Sequence, residues 1–162
     1  MHTPRKKLPV ERKTWEEILA AVHKEHLVLL DVDGVLAADG DDDMDTHARA
    51  CAQQLVNLTR VLLVTNTRDR TRARRFAHEL GIPLVESPRR KPSARILAAI
   101  PHDEHTQFLV IGDKFFTDGL FARNIGGRAF LLKDRLVSPR DRLIITLSYW
   151  ADDFFSLLFT IL

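Results

Sequence analysis

A chain of 162 residues, 45% hydrophobic and 28% charged, has the balance of one globular domain and excludes a disordered or fibrous one. Its 24 Lys and Arg against 22 Asp and Glu leave a formal charge of only +2, so no global field favours nucleic acid and any preference for anions must be local. A single cysteine, Cys51, excludes an internal disulfide and a thiolate metal cluster, and the opening "MHTPRKKLPVERKTW" lacks the apolar core of a secretory signal. Both features favour a cytoplasmic chain, with a peripheral place at a membrane surface as the variant.

In chain order, Thr14 followed by Glu17 is a capping box ahead of Ile18, Leu19 and Val22, which predicts a helix over 14–24. The period then changes. "HLVLL" (26–30), "RVLLVT" (60–65), "QFLVIG" (107–112) and "RAFLL" (128–132) are short, continuously apolar runs of the kind that form strands covered on both faces, and "PLVE" (83–86) reads as a short fifth strand. Between them lie helix-like stretches at 46–57 behind Asp45, 68–80 closed by Gly81, 94–100 behind Ser93, and 117–125 before Gly126 and Gly127. Strands alternating with helices predict a three-layer α/β domain with a parallel sheet and helices on both faces. We divide the chain into a basic segment with its helix at 1–25, a catalytic domain at 26–135 and an apolar helical tail at 136–162. Phe115, Phe116, Phe121 and Phe130 read as core.

The stretch "LIITLSYWADDFFSLLFTIL" (143–162) is as long as a membrane span, but Asp152 and Asp153 lie at its middle, where each carboxylate costs roughly 2.5–3.5 kcal/mol. It therefore reads as a helix packed on the domain or on a second copy of the chain. The variant lies in a membrane surface with Tyr149 and Trp150 at the interface.

In a parallel sheet the ligand crevice lies outside the carboxyl ends of the strands. Asp31 and Asp33 end the first apolar run, Thr65 and Asn66 the second, and Asp113 the third, so these residues converge. Carboxylate oxygens with open positions suit Mg²⁺, which makes Asp31, Asp33 and Asp113 the candidate metal ligands. Thr65, Asn66 and Lys91 are the candidates for holding a phosphate. One aspartate can then attack phosphorus to give an aspartyl-phosphate, while the other moves the proton.

The order Asp31-Val32-Asp33-Gly34-Val35, Thr65-Asn66, Lys91-Pro92 and Gly112-Asp113 with Asp118 resembles the four motifs of the haloacid dehalogenase superfamily of phosphotransferases, over about 26–132. The resemblance implies that Asp31 is the nucleophile, Asp33 the general acid and base, Thr65 and Lys91 the phosphate-holding pair, and Asp113 the metal-binding acid with Asp118 as a second acid nearby. A helix and part of a strand or loop fill each of the gaps 34–64 and 66–90. That implies a capless Rossmann-like member with an open site. "LLVTNTRDRTRARRFAHELGIPLVESPRRKP" and "VIGDKFFTDGLFARNIGGRAFLL" are most similar to the YqeG-type subclass IIIA phosphatases, a group that includes mitochondrial phosphatidylglycerophosphate phosphatases. A lipid phosphomonoester suits an uncapped site, the arginines at 68–75 and the apolar tail. Relatives usually carry Asn in place of Gly34 and an uncharged residue in place of Lys114, whose ammonium either weakens metal binding at Asp113 or pairs with substrate.

The reading is therefore a Mg²⁺-dependent phosphatase of a phosphorylated small molecule or phospholipid headgroup, with the tail contacting a membrane or a second copy. One rival is the same chemistry on a soluble sugar phosphate or nucleotide; another is a catalytically silent binding protein on the same fold. A phosphorelay receiver is disfavoured, because its acceptor aspartate ends a middle strand before the Thr and Lys, whereas here the corresponding strand ends in Thr65 and the remaining acid, Asp113, follows Lys91.

Overall fold

The computed structural model describes residues 10–138 and 149–154. Five strands run parallel in one sheet: β1 (Val10–Lys13), β2 (His26–Leu30), β3 (Arg60–Leu63), β4 (Gln107–Gly112) and β5 (Arg128–Leu132). Their order across the sheet is β1-β5-β4-β2-β3. Four helices join them: α1 (Trp15–Ala21), α2 (Thr46–Leu58), α3 (Arg70–Leu80) and α4 (Leu120–Asn124). A 3₁₀ turn covers Ala94–Ala99, and a π turn, Phe115–Gly119, leads directly into α4.

Continuous apolar strands need cover on both faces, and here they have it. Val28, Leu30, Leu109, Ile111 and Phe130 face one core, where α1, α2 and α3 contribute Ile18, Leu55 and Phe76. Their alternates Leu27, Leu29, Val110 and Ala129 face the opposite core with Ile96, Phe121 and Ala122. The predicted three-layer α/β architecture is the one observed.

The capping box is present at α1, with Thr14 Oγ1 accepting from Glu17 N–H and Glu17 accepting from Thr14 N–H. Two predicted elements differ. "PLVE" makes only an isolated bridge between Leu84 and Leu63, because Pro83 has no N–H to extend the ladder and Glu86 leaves to meet Arg70 and Arg74. The fifth strand is instead β1, paired with β5 from Val10↔Ala129 to Lys13↔Leu132, so residues 10–13 belong to the same sheet as the rest. The predicted helix at 117–125 divides into the π turn and α4, and Phe116 is 37% exposed while Phe115, Phe121 and Phe130 are buried.

Of the tail predicted as helical at 136–162, residues 136–138 are irregular, residues 149–154 are helical, and the remainder lies outside the described residues. Tyr149 and Asp152 are buried, whereas Trp150 is 77% exposed. Among the described residues no helix is long and apolar enough to cross a membrane.

Candidate active site

Register places the site. Leu30 at the end of β2 is paired with Leu63 of β3 on one side and Ile111 of β4 on the other. Asp31 N–H still donates to Ile111 O, at 2.9 Å, and Asp113 follows Gly112 at the end of β4. The two aspartates thus emerge side by side at the carboxyl edge of the central strands, on the wall of a cavity of about 410 Å³.

Asp31, Asp113 and Asp118 form one buried cluster, with an oxygen from each lying within 4.8 Å of the others. Lys91 Nζ hydrogen-bonds Asp118 Oδ1 at 2.5 Å and stands 2.9 Å from Asp31 Oδ1. The other oxygen of Asp118 faces the N–H groups of Asp113 and Lys114 and the Thr117 hydroxyl, so that carboxylate is fully engaged. Asp31 Oδ1 and Asp113 Oδ2 differ: both are sealed from solvent, the first with only the Lys91 ammonium beside it and the second accepting no hydrogen bond. Orphaned buried carboxylate oxygens are costly unless a cation meets them. An all-oxygen donor set suits a hard divalent ion such as Mg²⁺.

The electrostatics agree with that geometry. Burial, reinforced by Asp118 and Asp33 and opposed by Lys91, pushes the Asp31 carboxyl up to about 7. Burial, followed by Asp118 and Asp31, pushes Asp113 well above the carboxylate range. Lys91 is buried too, which works against its charge, but Asp118 and Asp31 outweigh this and hold it protonated. Three close carboxyls share one ammonium, an arrangement that leaves negative charge for a metal to neutralise.

Asp33 lies apart from this cluster. Its carboxylate turns to Arg72, whose Nη1 is 2.7 Å from Asp33 Oδ1. Arg72 sits in the first turn of α3, held by Asp69 Oδ1 accepting from Arg72 N–H at 2.9 Å, and faces inward with Phe76 and Leu80. The sequence carried a signal for it: positions 72, 76 and 80 share a helix face, so Arg72 is the arginine of the 68–75 group on the apolar side. Arg68 is exposed and borders the cavity mouth.

The predicted phosphate residues have distinct places. Asn66 clamps the Lys91 backbone, with Nδ2 donating to Lys91 O at 3.0 Å and Oδ1 accepting from Lys91 N–H at 2.8 Å. Thr65 Oγ1 accepts from Thr67 N–H at 3.1 Å, and Thr67 and Asn66 border the cavity. Lys114 borders it as well, with Nζ 4.5 Å from the Tyr149 ring centroid.

Gly34 has a physical reason in this chain. It adopts φ +77°, and a Cβ there would meet Asp113 Oδ2 at 2.1 Å. Two residues beyond the motifs also reach the site. Asp152 accepts from the Phe115 and Phe116 N–H groups, and Tyr149 acts on the Asp113 carboxyl, lowering it against the stronger effect of burial. Neither contact has a local sequence signal, because each joins segments more than thirty residues apart.

A family model described as "Mitochondrial PGP phosphatase" matches residues 3–137, most of the chain. No individual curated protein matches. With the carboxylate cluster and its lysine lying inside the matched region, the chain belongs to the mitochondrial PGP phosphatase family and is a phosphatase, a hydrolase of phosphorylated substrates.

Proposed function

We propose that the protein hydrolyses phosphatidylglycerophosphate, or a phospholipid phosphomonoester of that kind, through an aspartyl-phosphate on Asp31 with Mg²⁺ at the carboxylate cluster. The observation that carries the reading is the buried cluster of Asp31, Asp113 and Asp118 oxygens within 4.8 Å of one another, which share the single Lys91 ammonium and leave Asp113 Oδ2 without a partner. The family match supplies the substrate class.

Asp31 and Asp113 would hold the metal, with Asp118 orienting the loop behind them and fixing Lys91. When bound, Mg²⁺ supplies positive charge that offsets the negative charge of the phosphoryl group and of the cluster. The Asp31 carboxylate attacks phosphorus, and the bond from phosphorus to the ester oxygen breaks. Asp33 gives its proton to that departing oxygen, releasing the alcohol. A water molecule then attacks phosphorus, its proton passes to the Asp33 carboxylate, the bond to Asp31 breaks, and inorganic phosphate leaves. Lys91, held by Asn66 and Asp118, supplies a fixed positive charge to the phosphoryl oxygens in both steps. Burial raises the Asp33 carboxyl and Arg72 lowers it, opposing influences that suit a group required both to donate and to accept a proton.

The test is phosphate release with and without Mg²⁺ from phosphatidylglycerophosphate in mixed micelles, a sugar phosphate and a nucleotide. Metal-dependent turnover that prefers the lipid and is lost in Asp31→Asn supports the proposal. Preference for a soluble phosphate overturns the lipid assignment, and turnover surviving in Asp31→Asn overturns the mechanism.

A further inference from the structure

We infer that the helical segment 149–154, beyond the region shared with the family, is a working part of the metal site, with Asp152 as its positioning residue. The inference rests on the reading that Asp31, Asp113 and Asp118 hold a divalent cation.

The loop that carries Asp113 runs into the π turn Phe115–Gly119, which contains Asp118 and whose cap residue, Lys114, makes no side-chain capping bond. The first N–H groups of such a turn need acceptors. Asp152 supplies them: Oδ2 accepts from Phe115 N–H at 2.7 Å and Oδ1 from Phe116 N–H at 2.8 Å, and the residue is 2% exposed. One carboxylate thereby fixes the peptide planes between the two metal-cluster aspartates. These short charge-assisted bonds, buried at one end, set where the loop lies.

The same segment grips the site at two more points. The Tyr149 ring is buried with Lys114 Nζ and the Arg135 guanidinium each 4.5 Å from its centroid, and its hydroxyl end lowers the Asp113 carboxyl. That contact draws the Lys114 ammonium over an aromatic face. Asp153 bridges Arg12 of β1, at 2.7 Å, and Arg135. Three anchors on three separate parts of the chain hold a helical segment whose exposed face carries Trp150. Groups that orient ligand-bearing loops commonly change metal affinity by about 10- to 100-fold.

The experiment uses the full chain stripped of metal, with Mn²⁺ as probe and free Mn²⁺ followed by electron paramagnetic resonance. Unfolding temperature in EDTA is recorded alongside. Asp152→Ala is expected to weaken Mn²⁺ binding at least about tenfold while still unfolding cooperatively, and excess Mn²⁺ is expected to restore its kcat. Trp150→Ala, on the same segment, is expected to bind like the parent. Should Asp152→Ala fail to fold, Tyr149→Phe decides, since it keeps the ring beside its cations and removes only the hydroxyl; a several-fold weaker affinity is expected. Parent-like Mn²⁺ affinity in a folded Asp152→Ala, or in Tyr149→Phe when that variant decides, overturns the inference. Failure of the parent protein to bind Mn²⁺ overturns the metal assignment itself, and this inference with it.

Discussion

Arg72 Nη1 stands 2.7 Å from Asp33 Oδ1 while its Nη2 donates to the Ala38 carbonyl at 3.1 Å, so one buried guanidinium ties the second motif aspartate to the loop that follows it. The fork geometry of arginine permits both bonds at once from two separate nitrogens.

Arg72→Met is therefore expected to leave Asp33 without its cation and to lower stability by about 3 kcal/mol, the lower end of the range for breaking a buried pair, because Asp33 keeps some solvent contact. The catalytic signature is separate from that loss. Arg72 lowers the Asp33 carboxyl, so its removal raises it further, and the limb of the pH–rate profile that requires ionised Asp33 moves to higher pH. A pH profile of kcat on a small phosphomonoester reads this. An unchanged limb with lowered activity throughout would show that Arg72 acts on substrate and not through Asp33.

A second expectation follows from the cluster's protonation. The folded protein holds the Asp31 carboxyl at about 7 against an ordinary 3.8, so between roughly pH 4 and 7 it keeps a proton that the unfolded chain has released. Stability of the metal-free protein therefore falls as pH rises through that window, and Asp113, shifted the same way, adds to the fall. A bound divalent ion needs the ionised forms, and so its stabilising effect grows over the same range. Thermal unfolding in EDTA and in Mg²⁺ at pH 5.5 and 8 should show a larger metal-induced rise at pH 8, and Asp31→Asn should unfold at a higher temperature than the parent in EDTA at pH 8. A metal-induced rise that is the same at both pH values would contradict the cluster's role.

Gly34→Ala tests the closeness of the first and last motifs. The added methyl would stand 2.1 Å from Asp113 Oδ2 on a backbone at φ +77°, so either the Asp31–Val35 loop or Asp113 must move. A loss of activity of about 100-fold is expected, since displacements near 1 Å at a reacting centre have that size of effect, together with weaker Mg²⁺ stabilisation in thermal unfolding. Full activity in this variant would mean that Asp113 is not held where the structure places it.

These contacts also mark how far the sequence could be read. The central strands were legible because burial on both faces leaves unbroken apolar runs, and α1 because its capping box is local. β1 was not legible: "VERK" is an edge strand with three polar residues and no apolar run. The motif order announced Asp31, Lys91 and Asp113, yet the full engagement of Asp118 depends on a π turn that spacing alone does not reveal. Asp33 read as a metal ligand because it stands two residues from Asp31 at the end of a strand, whereas the chain turns there and the Asp33 carboxylate pairs with Arg72 of α3. Asp152 had looked like an obstacle to membrane insertion. Its buried bonds to the π turn account for a carboxylate in an apolar stretch.

The last prediction concerns what the cavity mouth selects. Arg68 and Arg90 are both exposed at its rim, and among the described residues neither forms an ion pair, unlike Arg70 and Arg74, which meet Glu86. Exposed cations add little to chemistry at a buried phosphoryl group but attract an anionic lipid surface by about 1 kcal/mol each, an effect that salt screens. Arg68→Gln with Arg90→Gln is accordingly expected to lower kcat/KM on phosphatidylglycerophosphate in anionic vesicles by about 10- to 30-fold at low ionic strength. The difference from the parent should narrow sharply in high salt, and turnover of a small soluble phosphomonoester should change less than about twofold, because the Asp31, Asp33 and Lys91 machinery is untouched. Equal losses on both substrates would place these arginines at the transferred phosphate itself, and no loss on either would remove them from substrate recognition.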